Sequence, residues 1–548
     1  MEKPILLLYP PYEGKNYLSS RTPFALGLLS IATYLEERGI KAKVVDTAYP
    51  PNRVKINKPL ELQTGQFNYF RFGWTNKEIK DWLDYNKSEF YKIVGISSLM
   101  SSNWTGAYNL AKIVKECWSN SIIVMGGPHV TSFPEHMFEK SFTDYICIGE
   151  GEDSFYKFLN EEHQEAIIHR DEYKGGTIQR NKNTFIKDVD QLPLLNRSLL
   201  TDERESKEMY IIFGRGCPHK CSFCCNFLLQ GRIWRHKSIK RCMEEILYYN
   251  KNWGVQSFVV EDDNLCPNKN GINFLKDLCR SIIEQDLKLK FRVSHGIPTY
   301  ATADEELCDL LWKARFRKMV FPLESTDKEV LNDMNKEFTI DYYETAINNW
   351  KKYERECPTE IIIGYPFVQT IESMLKTMFY IADHECLIWA SHFRLNKGIQ
   401  LFERCLEAGY INKDYDPINQ QSPYISTERF NTEDIHEVAR VSRGLNYITE
   451  AGCKVFSQNP FNEFNYYPEE KGDVIGLGNF KFKRSQDIAA SILLASTGNF
   501  RGKPIVRIKD NSKLVYYRCE QNKVFGKMIY ILTGKEIIHK GITDFFNK

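Results

Sequence analysis

The sequence predicts an α/β protein in three parts: an N-terminal open sheet covered by helices, a partial (β/α)6 barrel, and a smaller C-terminal α+β domain. Three observations predict it. Short apolar runs at residues 5–9, 43–46, 93–97, 122–125 and 145–148 alternate with stretches of helical apolar spacing. A second strand–helix alternation begins near residue 208, and beyond about residue 410 the alternation lapses. A chain of 548 residues with 42% hydrophobic and 26% charged residues has material for two or three cores. Its net charge of +2 gives no global bias towards nucleic acid or anionic membrane.

The first part is assigned to residues 1–165. Residues 5–9 (Ile-Leu-Leu-Leu-Tyr) are too short for a signal sequence, and no run reaches the ~20 apolar residues that span a bilayer. A cytoplasmic chain with no membrane span is the expectation. A helix is predicted over 25–35, stopping at Gly39, and strand 43–46 completes a strand–helix–strand unit that favours a parallel sheet. Residues 48–88 read as an irregular insertion whose Trp82 docks into the domain. Helix 107–117 follows strand 93–97, and helix 154–159 follows strand 145–148. Polar and glycine-rich turns close these strands: Ser98 to Thr105, Gly126-Gly127-Pro128-His129 and Gly149-Glu150-Gly151-Glu152. Open α/β sheets bind ligands at that edge. None of the turns is Gly-x-Gly-x-x-Gly with a following acidic residue, so a dinucleotide has little support.

Residues 166–205 are polar and read as a linker. The second part, 206–410, has predicted strands at 210–213, 257–261, 290–293, 318–322 and 361–364. Helices are predicted over 238–250, 271–284, 304–314, 328–334 and 341–355. Such repeats approximate a partial barrel with its chemistry at the carboxyl ends of the strands. At those ends stand Glu261-Asp262-Asp263-Asn264, Ser294-His295 and Glu324-Ser325. Asp, Asn and Ser also cap helices without any catalytic role, so each group has a structural alternative. Arg215 and Arg292 are candidates to meet a carboxylate. Residues 411–548 carry predicted helices at 431–449 and 485–495 and strand-like runs at 504–509, 513–518 and 528–532. The basic groups Lys237, Lys240, Arg241 and Lys481, Lys483, Arg484 read as solvated surface, without a zinc-finger or helix-turn-helix frame for nucleic acid.

Everything is organised around Gly214-Arg215-Gly216-Cys217-Pro218-His219-Lys220-Cys221-Ser222-Phe223-Cys224. Cys217, Cys221 and Cys224 sit on a short loop in which glycines allow close backbone approach, and three thiolates on a four-iron cube leave one iron open. An open iron suggests chemistry at the cluster. Zinc is the alternative, but structural zinc sites usually pair Cys-x(2–4)-Cys with a second pair, and none is visible downstream. Fifteen cysteines in 548 residues do not make a disulfide scaffold. Cys225 reads as a packed thiol.

The Cys-x-x-x-Cys-x-x-Cys spacing with Phe223 before the last cysteine resembles the signature of radical S-adenosylmethionine (SAM) enzymes. The layout from residue 1 to about 410 resembles the subgroup with an N-terminal Rossmann-like cobalamin-binding domain. The resemblance implies three cofactors: a [4Fe–4S] cluster on Cys217, Cys221 and Cys224, SAM chelated by the open iron, and cobalamin on the N-terminal domain. The reduced cluster would cleave SAM to a 5′-deoxyadenosyl radical. By the same resemblance Gly126, Gly127, His129, Gly149, Glu150 and Gly151 would face cobalamin. The Asp-x-His-x-x-Gly pattern for a lower-face ligand is absent, and His129 is the alternative axial candidate. Glu261, Asp262, Asp263, Ser294, Glu324 and Ser325 would face SAM or substrate.

Two turns depart from the family. A Gly-x-Pro-Gly-Glu-Thr segment is replaced by Gly364-Tyr365-Pro366-Phe367-Val368-Gln369-Thr370, and a Pro-Gly-Thr turn by Asn396-Lys397-Gly398-Ile399-Gln400. Both change the pocket and argue against borrowing a relative's substrate. The implied activity is methyl transfer to an unactivated carbon of a small molecule or peptide, served by an electron donor such as flavodoxin or ferredoxin. The C-terminal domain would shape the substrate pocket. Cyclisation, ring contraction or rearrangement with the same cofactors is the alternative, and a non-enzymatic iron–sulfur sensor or electron carrier a more remote one.

Overall fold

A computed structural model describes residues 3–15, 25–58, 68–90, 92–162, 165–173, 178, 185–202, 207–336, 339–354 and 356–448. The expected helix at 485–495, the strand-like runs from 504 onwards and the basic group at 481–484 lie outside the described residues. The described chain divides into two compact units, one of residues 3–295, 309–317 and 394–422, the other of 296–308, 318–393 and 423–448.

The first unit opens with the predicted sheet. Strands β1 (Ile5–Tyr9), β2 (Tyr12–Gly14), β3 (Ala42–Asp46), β4 (Arg53–Ile56), β5 (Tyr69–Phe72), β6 (Ile93–Ser97), β7 (Ile122–Gly126), β8 (Tyr145–Cys147) and β9 (Ile167–His169) form two sheets. The larger has the order β3-β1-β6-β7-β8-β9, parallel except for the antiparallel edge strand β9. β1 is apolar at every position because both of its faces are covered, as parallel sheets require. Leu6, Leu8, Val94, Ile96, Ile123 and Met125 pack against Ala107, Leu110, Ala111 and Val114 of helix Trp104–Cys117. Strand order reverses between β1 and β6, which places a ligand crevice beyond the carboxyl ends of those strands.

The insertion is more ordered than the sequence reading allowed. It supplies β4 and β5, which with β2 make an antiparallel sheet of order β2-β5-β4, and helix Asn76–Asn86. That helix is opened by a capping box in which Thr75 and Glu78 satisfy each other's backbone donors. Trp82 docks as expected, packed with Trp74 and Phe90 against the main core. The linker too is partly built. It contributes β9, and Asn196 ties residues 196–200 to helix Leu26–Glu36 through Thr33 and Glu36.

The β/α region supplies six parallel strands in sequence order. β10 (Glu208–Ile211), β13 (Ser257–Val260) and β14 (Lys290–Val293) belong to the first unit, with a short antiparallel ladder β11 (Gly214–Arg215) and β12 (Arg235–His236) between the first two. β15 (Phe321–Glu324), β16 (Thr359–Ile363) and β17 (Ile388–His392) form the second unit's sheet. β15 begins three residues later than expected, because Arg315 and Lys318 adopt positive φ and extend the turn before it. Helix Ile371–Asp383 and β17 were not anticipated; they complete the sixth repeat.

Residues 394–422 pack with the N-terminal unit rather than continuing into a separate domain. Gln421 is buried and donates to the carbonyls of Ser102 (2.6 Å) and Glu13 (3.3 Å) and to the Tyr69 hydroxyl (3.2 Å). The Trp104 indole N–H donates to Asp416 at 2.9 Å, and Ile418 closes a small core with Tyr69 and Trp104.

Candidate active site

The cysteine loop is held at both ends by backbone contacts. Where the chain leaves β10, the Asp262 carboxylate accepts the N–H groups of Phe213 (2.9 Å) and Gly214 (2.6 Å), and Lys237 donates to the Ile212 carbonyl at 2.7 Å. Gly216 has φ 87°, and a Cβ there would stand 2.3 Å from the Ile233 carbonyl, so this position requires glycine. Its N–H donates to Gln230 Oε1, and that of Cys217 to the Gly231 carbonyl. The loop thereby folds back on helix Asn226–Gln230.

Cys217, Cys221, Cys224 and Cys225 are all partly exposed, whereas every other described cysteine is buried. The Asn264 amide donates to Cys217 Sγ at 3.7 Å and the Asn226 N–H to Cys224 Sγ at 3.5 Å. Burial pushes the Cys224 thiol up to about 12, so ionisation there waits on a metal. Among the described residues no three His, Cys, Asp or Glu side chains gather closely enough to hold a metal ion. A four-iron cube takes each thiolate on a different iron and so needs wider spacing than tetrahedral zinc. A loop of three accessible thiols with amide donors beside two of them fits such a cube.

The acidic run after β13 separates into two roles. Asp262 is buried and bonded to two backbone donors, so it shapes the loop; burial nevertheless pushes its pKa up to about 7. Asp263 is free of that duty. Its Oδ2 is buried without a hydrogen-bond partner, and burial raises its pKa to about 6, against the pull of nearby His295 and Arg215. Glu261 accepts the Ser294 hydroxyl and lies 3.6 Å from His295 Nε2, which joins the ends of β13 and β14. A buried carboxylate oxygen without a donor is what an ammonium or hydroxyl of a ligand would satisfy.

In the second unit Glu324 has φ 64° at a bulge in β15 and pairs with Lys336 at 2.7 Å. Ser325 Oγ accepts the Asp327 N–H at 3.1 Å, a local turn bond. The substituted turn after β16 is held by Gln369, which accepts from the Tyr365 N–H and donates to the Ile362 carbonyl, each at 2.8 Å.

At the N-terminal sheet edge, the ends of β6, β7 and β8 are stitched together. His129 N–H donates to the Ser98 carbonyl, and Thr131 Oγ1 accepts the Gly149 N–H while donating to the Gly127 carbonyl. Gly127 has φ 106°, and a Cβ there would lie 2.9 Å from the Ser98 carbonyl oxygen. Ser98 Oγ is buried without a partner. Such a side-chain-poor edge with a spare hydroxyl fits a large planar ligand seated on backbone.

His129 does not fit an axial role in this state. It is 0% exposed, stacks on Phe133 at 5.5 Å, and neither ring nitrogen has a hydrogen bond. Burial and neighbouring His136 hold its pKa well below the usual value, so it is neutral. Gly151 is a packing position, since a Cβ would meet Ile31 at 2.7 Å.

Glu150 and Glu152 have partners from the cysteine loop's ladder. Arg235 grips Glu150 through two bonds (2.7 and 3.1 Å), and Arg215 grips Glu152 (2.7 and 3.4 Å) while standing 3.6 Å from Glu150. Burial alone would raise the Glu152 pKa, but Arg215 and the Ser30 hydroxyl hold it below the usual range. The carboxylates that these two candidate arginines meet are the protein's own: Arg215 meets Glu152, and Arg292 pairs with Glu208 at 3.1 Å. Arg235 was not singled out from sequence. An arginine opposite another in a two-stranded ladder demands nearby anions, a signal that appears only once the pairing is known.

Residues 22–159 match the B12 binding domain and residues 211–381 match the radical SAM superfamily. The chain is a homologue of the cobalamin-dependent radical SAM enzymes. An uncharacterized methyltransferase, PH0819, of Pyrococcus horikoshii is 28% identical over 284 residues, covering 50% of this chain and 60% of that one. Cytidylyl-2-hydroxyethylphosphonate methyltransferase of Streptomyces wedmorensis is 23% identical over 463 residues, covering 75% and 83%. The radical SAM methyltransferase TsrM of Kitasatospora setae, with cobalamin and a [4Fe–4S] cluster bound, superposes with a TM-score of 0.59 at 16% identity over 79% of this chain and 87% of that one. This last likeness shows the fold: a Rossmann-like B12-binding domain followed by the radical SAM α/β core.

Proposed function

We propose that this radical SAM homologue is a cobalamin-dependent C-methyltransferase acting on a small molecule or peptide. The observation that carries the reading is the partly exposed Cys217, Cys221 and Cys224 loop in the same unit as the glycine-edged sheet. Both cofactor-handling features therefore belong to one folded body. Methyltransferase relatives on both the sequence and the structural side support the transfer chemistry.

When bound, the cluster and SAM supply a radical able to take hydrogen from an unactivated carbon, and cobalamin supplies the methyl group. The chain's own residues do the rest. Cys217, Cys221 and Cys224 hold the cluster, and Asn264 donates to the Cys217 sulfur. Asp263 offers its spare oxygen to a SAM ammonium or hydroxyl, with Glu261 and Ser294 bonded beside it. Glu324 and Ser325, at the end of β15, are kept as candidates to face SAM or substrate by the family resemblance. Gly126, Gly127, Gly149 and Ser98 give cobalamin a backbone seat. We assign residues 1–165 to the cobalamin-binding domain, 166–205 to the linker, 206–410 to the radical SAM barrel and 411–548 to substrate shaping. The electron arrives from a flavodoxin or ferredoxin in the cytoplasm. Among the described residues no helix is long and apolar enough to cross a membrane.

The test uses the anaerobically reconstituted full chain with methyl-labelled SAM. The reading expects S-adenosylhomocysteine to form only when cobalamin is present, with the label recovered on the extracted cofactor. Substrate products of unchanged carbon count, with no S-adenosylhomocysteine, would replace methyl transfer by rearrangement.

A further inference from the structure

The turn Gly149-Glu150-Gly151-Glu152 closes β8 of the cobalamin-binding domain, and Arg215 lies two residues before Cys217. Register pairs Arg215 directly with Arg235 across β11 and β12. Two cations opposite each other repel, so the ladder is stable only where anions are supplied. Glu150 and Glu152 supply them. All four side chains are largely buried, at 5% to 13% exposure, and two guanidinium and two carboxylate groups make the set neutral. The remaining valences are filled as well. The Ile186 N–H donates to Glu150 at 2.7 Å, the Ser30 hydroxyl to Glu152 at 2.8 Å, and Arg235 to the Gln230 carbonyl at 2.6 Å. Gln230 in turn accepts the Gly216 N–H at 3.1 Å. A continuous bonded path therefore runs from the β8 turn to the residue preceding the first cluster cysteine. A second contact parallels it, since Ser132 donates to Cys225 Sγ at 3.8 Å.

We propose that Arg215, Arg235, Glu150 and Glu152 are positioning residues that lock the cluster loop to the cobalamin-binding domain and so set the separation of cluster and cobalamin. Glu150 is then not a cobalamin contact. Its oxygens are already occupied by Arg235 and the Ile186 N–H. The fork of an arginine at 215 puts separate N–H donors on the two Glu152 oxygens while keeping its charge 3.6 Å from Glu150, an arrangement that the single point charge of an ammonium does not reproduce. The inference rests on the proposed cofactors, but the lock itself is read without them.

Two measurements on the full chain test it. Hydrogen–deuterium exchange of cofactor-free Arg215→Lys, which keeps the charge and should fold, is expected to accelerate about tenfold in peptides covering both 149–155 and 214–224. The helix Lys269–Glu284 serves as the unaffected control. In the reconstituted protein, pulsed dipolar spectroscopy between the reduced cluster and cobalt(II) cobalamin should give a broadened distance distribution in Arg215→Lys and Glu152→Gln, at wild-type iron and cobalamin content. Exchange confined to one of the two peptides, or an unchanged distance distribution, overturns the lock. Loss of cobalamin from Glu150→Gln, with iron retained, makes Glu150 a cofactor contact and also overturns it. If the wild-type chain takes up no iron or cobalamin, the cofactor reading fails, while the exchange experiment still decides whether the two segments are locked.

Discussion

Asp262 and Asp263 are neighbours with opposite duties. Asp262 accepts two backbone N–H groups, so Asp262→Asn turns an amide donor towards them or leaves one unmet; the cost is roughly 1 to 3 kcal/mol. Melting temperature and iron content should both fall in that variant. Asp263→Asn removes no described hydrogen bond at Oδ2 and should leave the melt nearly unchanged while weakening SAM binding, as titration calorimetry on the reconstituted protein would show. Equal losses in both measurements for the two variants would refute this division of labour. The acidic run itself was legible in the sequence, and so was its position at a strand end. Which carboxylate serves the fold was not, because Phe213 and Gly214 are 48 or more residues away along the chain. The cysteine triad was legible for the converse reason: its spacing is local. The glycines and proline beside His129 suggest a loop facing cobalamin, whereas its burial beside Phe133 and His136 is a tertiary fact.

Among elements, apolar strands announced themselves and half-exposed ones did not. β4 reads Arg-Val-Lys-Ile and has three exposed positions, so no hydrophobic run marks it. Helix Asn76–Asn86 did carry a signal, the Thr75 and Glu78 capping box. β17 alternates buried and open positions over Ile-Trp-Ala-Ser-His, a pattern that only its pairing with β16 makes decisive.

The 394–422 segment makes a prediction at this scale. Burial tends to raise the Asp416 pKa, but the His136 ring 3.9 Å away and bonds from the Ile418 N–H and the Trp104 indole hold it below the usual value. A carboxyl depressed on folding stabilises the protein fully above its unfolded value near pH ~4 and loses that contribution as pH falls through the folded one. Asp416→Asn should therefore lower stability by roughly 1 to 2 kcal/mol at neutral pH. It should also flatten the acid limb of the unfolding profile. Gln421→Ala strands the Ser102 carbonyl in a buried site and should cost a similar amount. Denaturation midpoints between pH 3 and pH 7 check both, and an unchanged acid limb in Asp416→Asn would contradict the assignment.

For the whole molecule, the sequence foretold an α/β chain with an open sheet and a partial (β/α)6 barrel, five of whose strands it located. It did not foretell that the first three repeats fold in one unit with the N-terminal sheet, or that 394–422 returns to it. That partition depends on contacts between residues hundreds of positions apart, such as Gln421 with Glu13. It also gives the Arg–Glu set its meaning. Breaking one buried pair there, as in Glu152→Gln, should cost about 3 to 5 kcal/mol by leaving two buried guanidinium groups against the single Glu150 carboxylate. Reconstituted chains should lose product formation more than SAM cleavage when the set is weakened gently by Arg215→Lys.

The most direct measurement is reductive SAM cleavage by the anaerobically purified, cluster-reconstituted full chain, with and without cobalamin, read by mass spectrometry. The account predicts 5′-deoxyadenosine from the wild type and none when Cys217, Cys221 and Cys224 are replaced by alanine. A protein that holds a complete four-iron cluster, binds SAM and yet releases no 5′-deoxyadenosine under strong reductant would contradict it, and would leave electron transfer or sensing as the role of the cysteine loop.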